Sequence, residues 1–105
     1  MKVIWSPKAK KTLRSVTKYI IRSFGITAAE KFKESVIKAE KLLCNTPLIG
    51  PTEPLLANHS RLYRSLLVNN LNKVVYYVED DIVHIASFWD VRREPKELVE
   101  DLEEE

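Results

Sequence analysis

Two apolar stripes of helical period, parted by one Gly-Ile dipeptide, constrain this chain more than any other feature. After the short run "KVIW", Ser6 and Pro7 supply an N-cap and a first helical residue whose missing N–H costs nothing. Ala9, Leu13, Val16, Ile20 and Phe24 then recur at spacings of three or four, with lysines and arginines outside them. Gly25 is the expected C′ residue, free to turn left-handed. "TAAE" places Thr27 at a second N-cap with Glu30 completing a capping box, and Ala29, Phe32, Val36, Ala39 and Leu43 draw the second stripe. With so little chain between them, the helices must double back as an antiparallel hairpin. Burying each large apolar side chain gains roughly 1.5 to 3 kcal/mol, so the hairpin needs a third surface to cover it.

The rest of the chain can supply that surface. "KVIW" reads as an opening strand, and "RLYRSLLV", "KVVYYVE" and "DIVHIASFW" are strand-length runs rich in β-branched and aromatic residues, separated by "NNLN" and the turn "EDD". The last run is halted by polar residues and by Pro95, which has no N–H to give a neighbour. The proline-bearing stretch 45–60 reads as a long irregular loop pinned by Leu48, Leu55 and Leu56. The expected fold is α+β: an antiparallel sheet of about four strands, the N-terminal strand plus a C-terminal three-stranded meander, packed against the N-terminal helical hairpin. Residues 1–96 form one domain, and 97–105 an acidic C-terminal tail whose helical or frayed state the pattern leaves open.

Charge divides the chain. The formal net charge of +2 in 105 residues conceals eleven Lys or Arg against three acids up to Asn45, and six against twelve beyond it. Six carboxylates follow Lys96, and without them the remaining body carries +8. A polyanionic partner and a merely well-solvated surface both fit this distribution. No apolar run approaches the roughly 20 residues that span a membrane. The opening "MKVIWSPKAKK" lacks the apolar stretch of a secretory signal, so the cytoplasm is the expected residence. Cys44 is the only cysteine and reads as a small packing residue at a helix end.

Several site chemistries find no support. Two glycines cannot make a phosphate loop, and His59 and His84 stand without ligand partners at usable spacing, so neither a metal nor another cofactor is expected. His84 reads as structural and His59 as solvated. The distinctive polar residues are cations on the strands: Arg61 and Arg64 flank the first meander strand, Lys73 opens the second, and Arg92 with Arg93 closes the third. Such cations could converge on one concavity. Tyr63, Tyr76, Tyr77, Phe88 and Trp89 are candidates for stacking on an uncovered sheet face, with Tyr63 and Trp89 the expected binding residues and Phe88 and Tyr76 assigned to the core.

The order of elements, with "WSPKAKKTL" at the start, "PLIGP" between and "NKVVYYVEDDIVHIASFWDVRREP" at the end, resembles the RelE/ParE superfamily of toxins from bacterial type II toxin-antitoxin pairs. The resemblance covers nearly the whole chain. It implies a toxin that arrests growth and is neutralised by a cognate antitoxin wrapping its surface, with which it could form a heterotetramer. The superfamily divides in chemistry. RelE-like members cut messenger RNA on the ribosome without metal, and that reading makes Arg61, Arg64, Lys73, Arg92 and Arg93 the catalytic and phosphate-binding set. ParE-like members bind DNA gyrase and poison it. A degenerate toxin or non-catalytic interaction module of the same fold is a third alternative. The RelE-like site often ends in a Tyr or His soon after the last strand, and "EPKELVEDLEEE" has neither. General acid-base catalysis contributes a factor of roughly 100 to 10,000, so this departure weakens the nuclease alternative.

Overall fold

A computed structural model describes residues 1–103. Strand β1 (Lys2–Trp5) leads directly into helix α1 (Pro7–Phe24), and the N-cap is the one the sequence predicts: the Ser6 hydroxyl accepts from the Ala9 N–H at 3.0 Å. Gly25, at φ 91°, ends α1 and also serves as N-cap of α2 (Ile26–Asn45). The expected capping box at Thr27 does not form, because the shared glycine starts the second helix before Thr27 and leaves no room for a separate cap. The antiparallel hairpin packs on the sheet through Leu13, Val16 and Ile20 of α1 and Phe32, Val36 and Leu43 of α2. Phe24, the last residue of the predicted stripe, is exposed and edge-on to Tyr19.

Strands β2 (Arg64–Leu67), β3 (Asn72–Glu79) and β4 (Ile82–Asp90) form the expected meander. Asp80 and Asp81, at φ 55° and 59°, make the two-residue turn with both central residues left-handed that tightly twisted hairpins favour. The sheet order is β1-β4-β3-β2. It is mixed where the sequence suggested antiparallel throughout, because β1 runs parallel to β4, Val3 opposite Val83. Parallel neighbours need a long crossover, and the α1–α2 hairpin with the rest of the chain between them provides it.

One irregularity sets which side chains reach which face. Val75 pairs with Ser87 but Tyr76 with Ile85, so Ala86 is an extra residue in β4. The bulge sends both Ile85 and Phe88 to the helical hairpin, where they meet Val74, Tyr76 and Val83. Trp89 consequently turns to the opposite face with Val75.

That opposite face is covered. A third helix, α3 (Pro95–Glu103), lays Leu98 and Leu102 over Trp89, Val75, Ala86, Tyr63 and Leu56. Pro95 therefore begins a helix, the position where its missing N–H is harmless, and the stretch read as an acidic tail is helical as far as Glu103; Glu104 and Glu105 lie outside the described residues. The loop between α2 and β2 contains a single 3₁₀ turn at Pro54–Leu56 and a bridge from Thr52 to Arg64. Leu56 pins it as predicted, whereas Leu48 and Leu55 are exposed. Cys44 is also exposed, not the packing residue expected. Among the described residues no helix is long and apolar enough to cross a membrane.

Candidate functional site

Strand alternation separates two of the five candidate cations. Arg64 stands opposite Tyr76, whose side chain lies in the hairpin-facing core, while Lys73 stands opposite Trp89, which belongs to the α3-facing core. Because adjacent residues of a strand point to opposite faces, these two cannot share one concavity. Each candidate instead has its own partners.

Lys73 makes the most buried pair. Its Nζ lies 2.7 Å from Glu53 Oε2, and the carboxylate is only 4% exposed. Glu53 was no candidate in the sequence, where it is one acid among prolines; the contact that matters is made twenty residues along the chain. Arg64 donates to the backbone carbonyls of Gly50 (2.8 Å) and Leu48 (3.4 Å). The Gly50 N–H in turn donates to the Tyr76 hydroxyl at 3.0 Å. A Cβ at Gly50 would come within 2.3 Å of the Ser65 carbonyl oxygen, so only glycine permits this approach. Burial pushes the Tyr76 phenol up, an effect partly offset by the Gly50 hydrogen bond. Arg64 and Tyr76 thus clamp the loop that holds Glu53.

Arg61 lies 4.4 Å above the Tyr77 ring and 3.7 Å from Glu79. A side-chain hydrogen bond with Tyr63 and the field of Tyr77 hold its pKa above the ordinary value. His59, Tyr63, Tyr77 and His84 continue as a run of ring contacts, with Tyr77 stacked on His84 at 4.8 Å. Arg92 grips Asp90 with both prongs, Nε to Oδ1 at 3.0 Å and Nη2 to Oδ2 at 2.7 Å. That hydrogen-bonded fork holds the Asp90 carboxyl below the usual carboxylate range, against the upward push of partial burial. Arg93 reaches the other way: its guanidinium is 4.4 Å from the Trp89 ring, 2.7 Å from Glu97 and 3.5 Å from Asp101. The two adjacent arginines therefore serve different structures, one finishing β4 and one fastening α3.

Tyr63 and Trp89, read as binding residues, are each 2% exposed and sit beneath α3 and the 3₁₀ turn. The sequence reading had left this face bare, and the helix that fills it explains their burial. Among the described residues no three of His, Cys, Asp and Glu stand close enough to hold a metal ion.

Unengaged cations lie elsewhere. Lys11, Arg14, Lys18 and Arg22 follow one another at spacings of three and four along α1, opposite its apolar stripe, and all four are exposed. None of them has an ion-pair partner among the described residues, and α1 contains no acidic residue. Beside this stripe a groove of about 330 Å³ opens between α1 and α2, with Leu13, Thr17, Phe32 and Val36 below and Arg14, Lys18 and Lys33 around it. A second cavity of about 350 Å³ lies between α1 and the far ends of β3 and β4, lined in part by Tyr19, Phe24, Leu71 and Arg92. The sequence held the signal for the stripe in its helical spacing, but strand cations drew the reading away from it.

Comparison with known proteins agrees with this architecture. The family model for the ParE toxin of type II toxin-antitoxin systems matches residues 3–95. Among solved structures, the chromosomal ParDE toxin-antitoxin system from P. aeruginosa aligns with a TM-score of 0.70 at 18% identity, covering 87% of this chain and 96% of that one. The YoeB/ParE toxin from Agrobacterium tumefaciens aligns at 0.59 with 17% identity over 86% and 98% of the two chains. The YoeB dimer from Staphylococcus aureus aligns at 0.57 with 24% identity over 84% and 93%. At these identities the structural matches speak for the fold. No curated protein matches by sequence.

Proposed function

The chain belongs to the family of ParE toxins of type II toxin-antitoxin systems, and from that membership we propose that it arrests growth by docking on DNA gyrase, without bond-making chemistry of its own. The observation that carries this reading is the engagement of the candidate catalytic cations. Lys73 is bound to a buried carboxylate, Arg92 to Asp90, Arg93 to Glu97 and Asp101, Arg61 to Glu79 and the Tyr77 face, and Arg64 to loop carbonyls. A nuclease that stabilises a phosphorane needs preorganised donors aimed at one point, and these donors are spent on different parts of the fold. The absence of Tyr or His after Trp89 points the same way.

On this reading the toxin acts in the cytoplasm and is held inactive by a cognate antitoxin. A heterotetramer is the expected assembly, as in the heterotetrameric YoeB-YefM complex from Staphylococcus aureus, whose toxin fold aligns with a TM-score of 0.55. The test adds the purified chain to a gyrase supercoiling assay and, separately, to a translating extract whose messages are mapped by primer extension. Inhibited supercoiling with no new message ends is the expected result. New message ends that require ribosomes, with gyrase unaffected, would replace this reading with the nuclease. Folded protein that does neither, and does not slow growth, would leave a non-catalytic interaction module.

A further inference from the structure

We infer that the turn joining α1 to α2 is a membrane-contact site, seated on a lipid bilayer with anionic headgroups. This surface is separate from the sheet cations and does not depend on which target the toxin attacks. Phe24, Gly25 and Ile26 make the turn, and Phe24 and Ile26 are the most exposed large apolar residues among those described, at 68% and 67%. Ile21 and Tyr19 are exposed beside them, Tyr19 with its ring edge-on to Phe24. The backbone of the turn is fixed: the Gly25 N–H donates to the Ile21 carbonyl at 3.0 Å, and the Gly25 carbonyl accepts from the Ala29 N–H at 3.3 Å. A Cβ built on Gly25 would meet nothing within 4 Å, so the turn stands clear of the rest of the chain. Its apolar side chains are held outward on a convex end, where water is their only neighbour within the fold.

Charge selects the occupant. Residues 18–33 carry Lys18, Arg22, Lys31 and Lys33 against Glu30, all five exposed and none in an ion pair among the described residues. Affinity for a bilayer surface sums the apolar area buried at the headgroup boundary and the attraction of cations to anionic lipid, and this turn offers both. A second copy would set like charge against like charge across the contact. A stable protein interface takes roughly 20 to 30 residues a side, whereas the turn presents four large apolar side chains, Tyr19, Ile21, Phe24 and Ile26. A nucleic-acid duplex would satisfy the cations but has no apolar layer to receive Phe24 and Ile26. The contact is peripheral, since no helix among the described residues is long and apolar enough to cross a membrane.

The full chain is mixed with vesicles of phosphatidylcholine and phosphatidylglycerol, and separately with vesicles of phosphatidylcholine alone, and the bound fraction is measured by flotation over a range of salt. Binding to the mixed vesicles that weakens as salt is added, with little binding to the neutral ones, is expected. Phe24→Ser with Ile26→Ser keeps every cation, and Lys18→Gln with Arg22→Gln keeps every apolar residue; each pair should weaken binding about tenfold or more. All four positions are exposed, so the circular dichroism of both variants should match the parent. Phe24→Trp should gain fluorescence that acyl-chain-brominated lipid quenches, whereas the parent's half-buried Trp5 and buried Trp89 should stay unquenched; this arm keeps the test sound if a double variant fails to fold. Binding that Phe24→Ser with Ile26→Ser leaves unchanged, with Phe24→Trp unquenched, would reduce the turn to a general polyanion surface and overturn the inference. So would equal binding to the neutral vesicles, no binding to the mixed ones at low salt, or a DNA duplex whose binding depends on Phe24 and Ile26 to the same degree.

Discussion

On the helical hairpin, Lys11, Arg14, Lys18 and Arg22 project into solvent with no carboxylate near enough to pair among the described residues; in β3 and the segments that flank β2 and β4, Lys73, Arg61, Arg92 and Arg93 each meet at least one. Both groups look alike in sequence, as cations flanking apolar periodicity. What separates them is the far half of the chain, where most of the acids lie and fold back onto the strands. The cations beside the acid-rich half are engaged within the fold, Lys73 over a buried carboxylate, and these four hairpin cations are left to solvent. An exposed cation chiefly affects association, whereas a cation over a buried carboxylate affects stability.

The largest disturbance to this division should come from removing α3. The sequence presents the stretch after Lys96 as a charged tail, whose removal would only strip acid from a basic body. In the fold, truncation there also removes Leu98, 0% exposed, and Leu102, 4% exposed, and uncovers Trp89 and Tyr63. Losing two buried leucines costs roughly 3 to 6 kcal/mol, a large part of the stability of a domain this size. The truncated chain should be largely unfolded or bind a hydrophobic dye, as circular dichroism and dye fluorescence will report. Charge alone is better tested by Glu97→Gln with Asp101→Asn, which spare the leucines but release Arg93 and remove one Lys8 contact.

A smaller effect, and a sharper contrast, is expected from single lysines. Lys73→Ala leaves the Glu53 carboxylate buried without its cation, and breaking such a pair costs about 3 kcal/mol, somewhat less where water can enter. In the same buffer Lys18→Ala should change stability by no more than about 0.5 kcal/mol, since its side chain is solvated and unpaired. Urea midpoints of the two variants measure the difference directly. Lys73→Met with Glu53→Gln should recover much of the loss, because the uncompensated charge is gone. Two equal midpoints for the single variants would erase the distinction between the regions.

How far the sequence could be read follows from the range of the interactions. The hairpin was legible because its stripes repeat within a few residues and its turn is one glycine. The meander was legible because its strands alternate around short turns. The direction of β1 was not, since nothing within "KVIW" records that its neighbour will be β4. Helix α3 was obscured for a different reason: only Leu98, Val99 and Leu102 mark its apolar face, set among six carboxylates, and Pro95 could equally end a strand or begin a helix. The candidate site suffered most. Assigning Lys73, Arg92 and Arg93 a role required knowing that Glu53, Asp90 and Glu97 would reach them, and of those contacts only the last two are local in sequence.

The smallest effect should come from Arg92, whose pair with Asp90 lies partly in solvent, and it should fade in acid. Arg92 is solvent-exposed, yet its fork holds the Asp90 carboxyl below the usual range, so Asp90 binds its proton less readily folded than unfolded. A carboxyl lowered in this way contributes stability that is present above its unfolded pKa, about 3.9, and is lost as the pH falls through the folded value. Arg92→Ala should therefore be slightly less stable than the parent at neutral pH, and the gap should narrow as the pH falls through the acid range. Asp90→Asn should likewise remove the pair's acid-range contribution, while keeping an oxygen that can accept from the Arg92 N–H. Urea midpoints of parent and Arg92→Ala at neutral pH and near pH 2 decide the matter. A gap that stays constant between them would mean that the fork contributes through packing or turn geometry, and that Arg92 belongs, energetically, with the unengaged cations of α1.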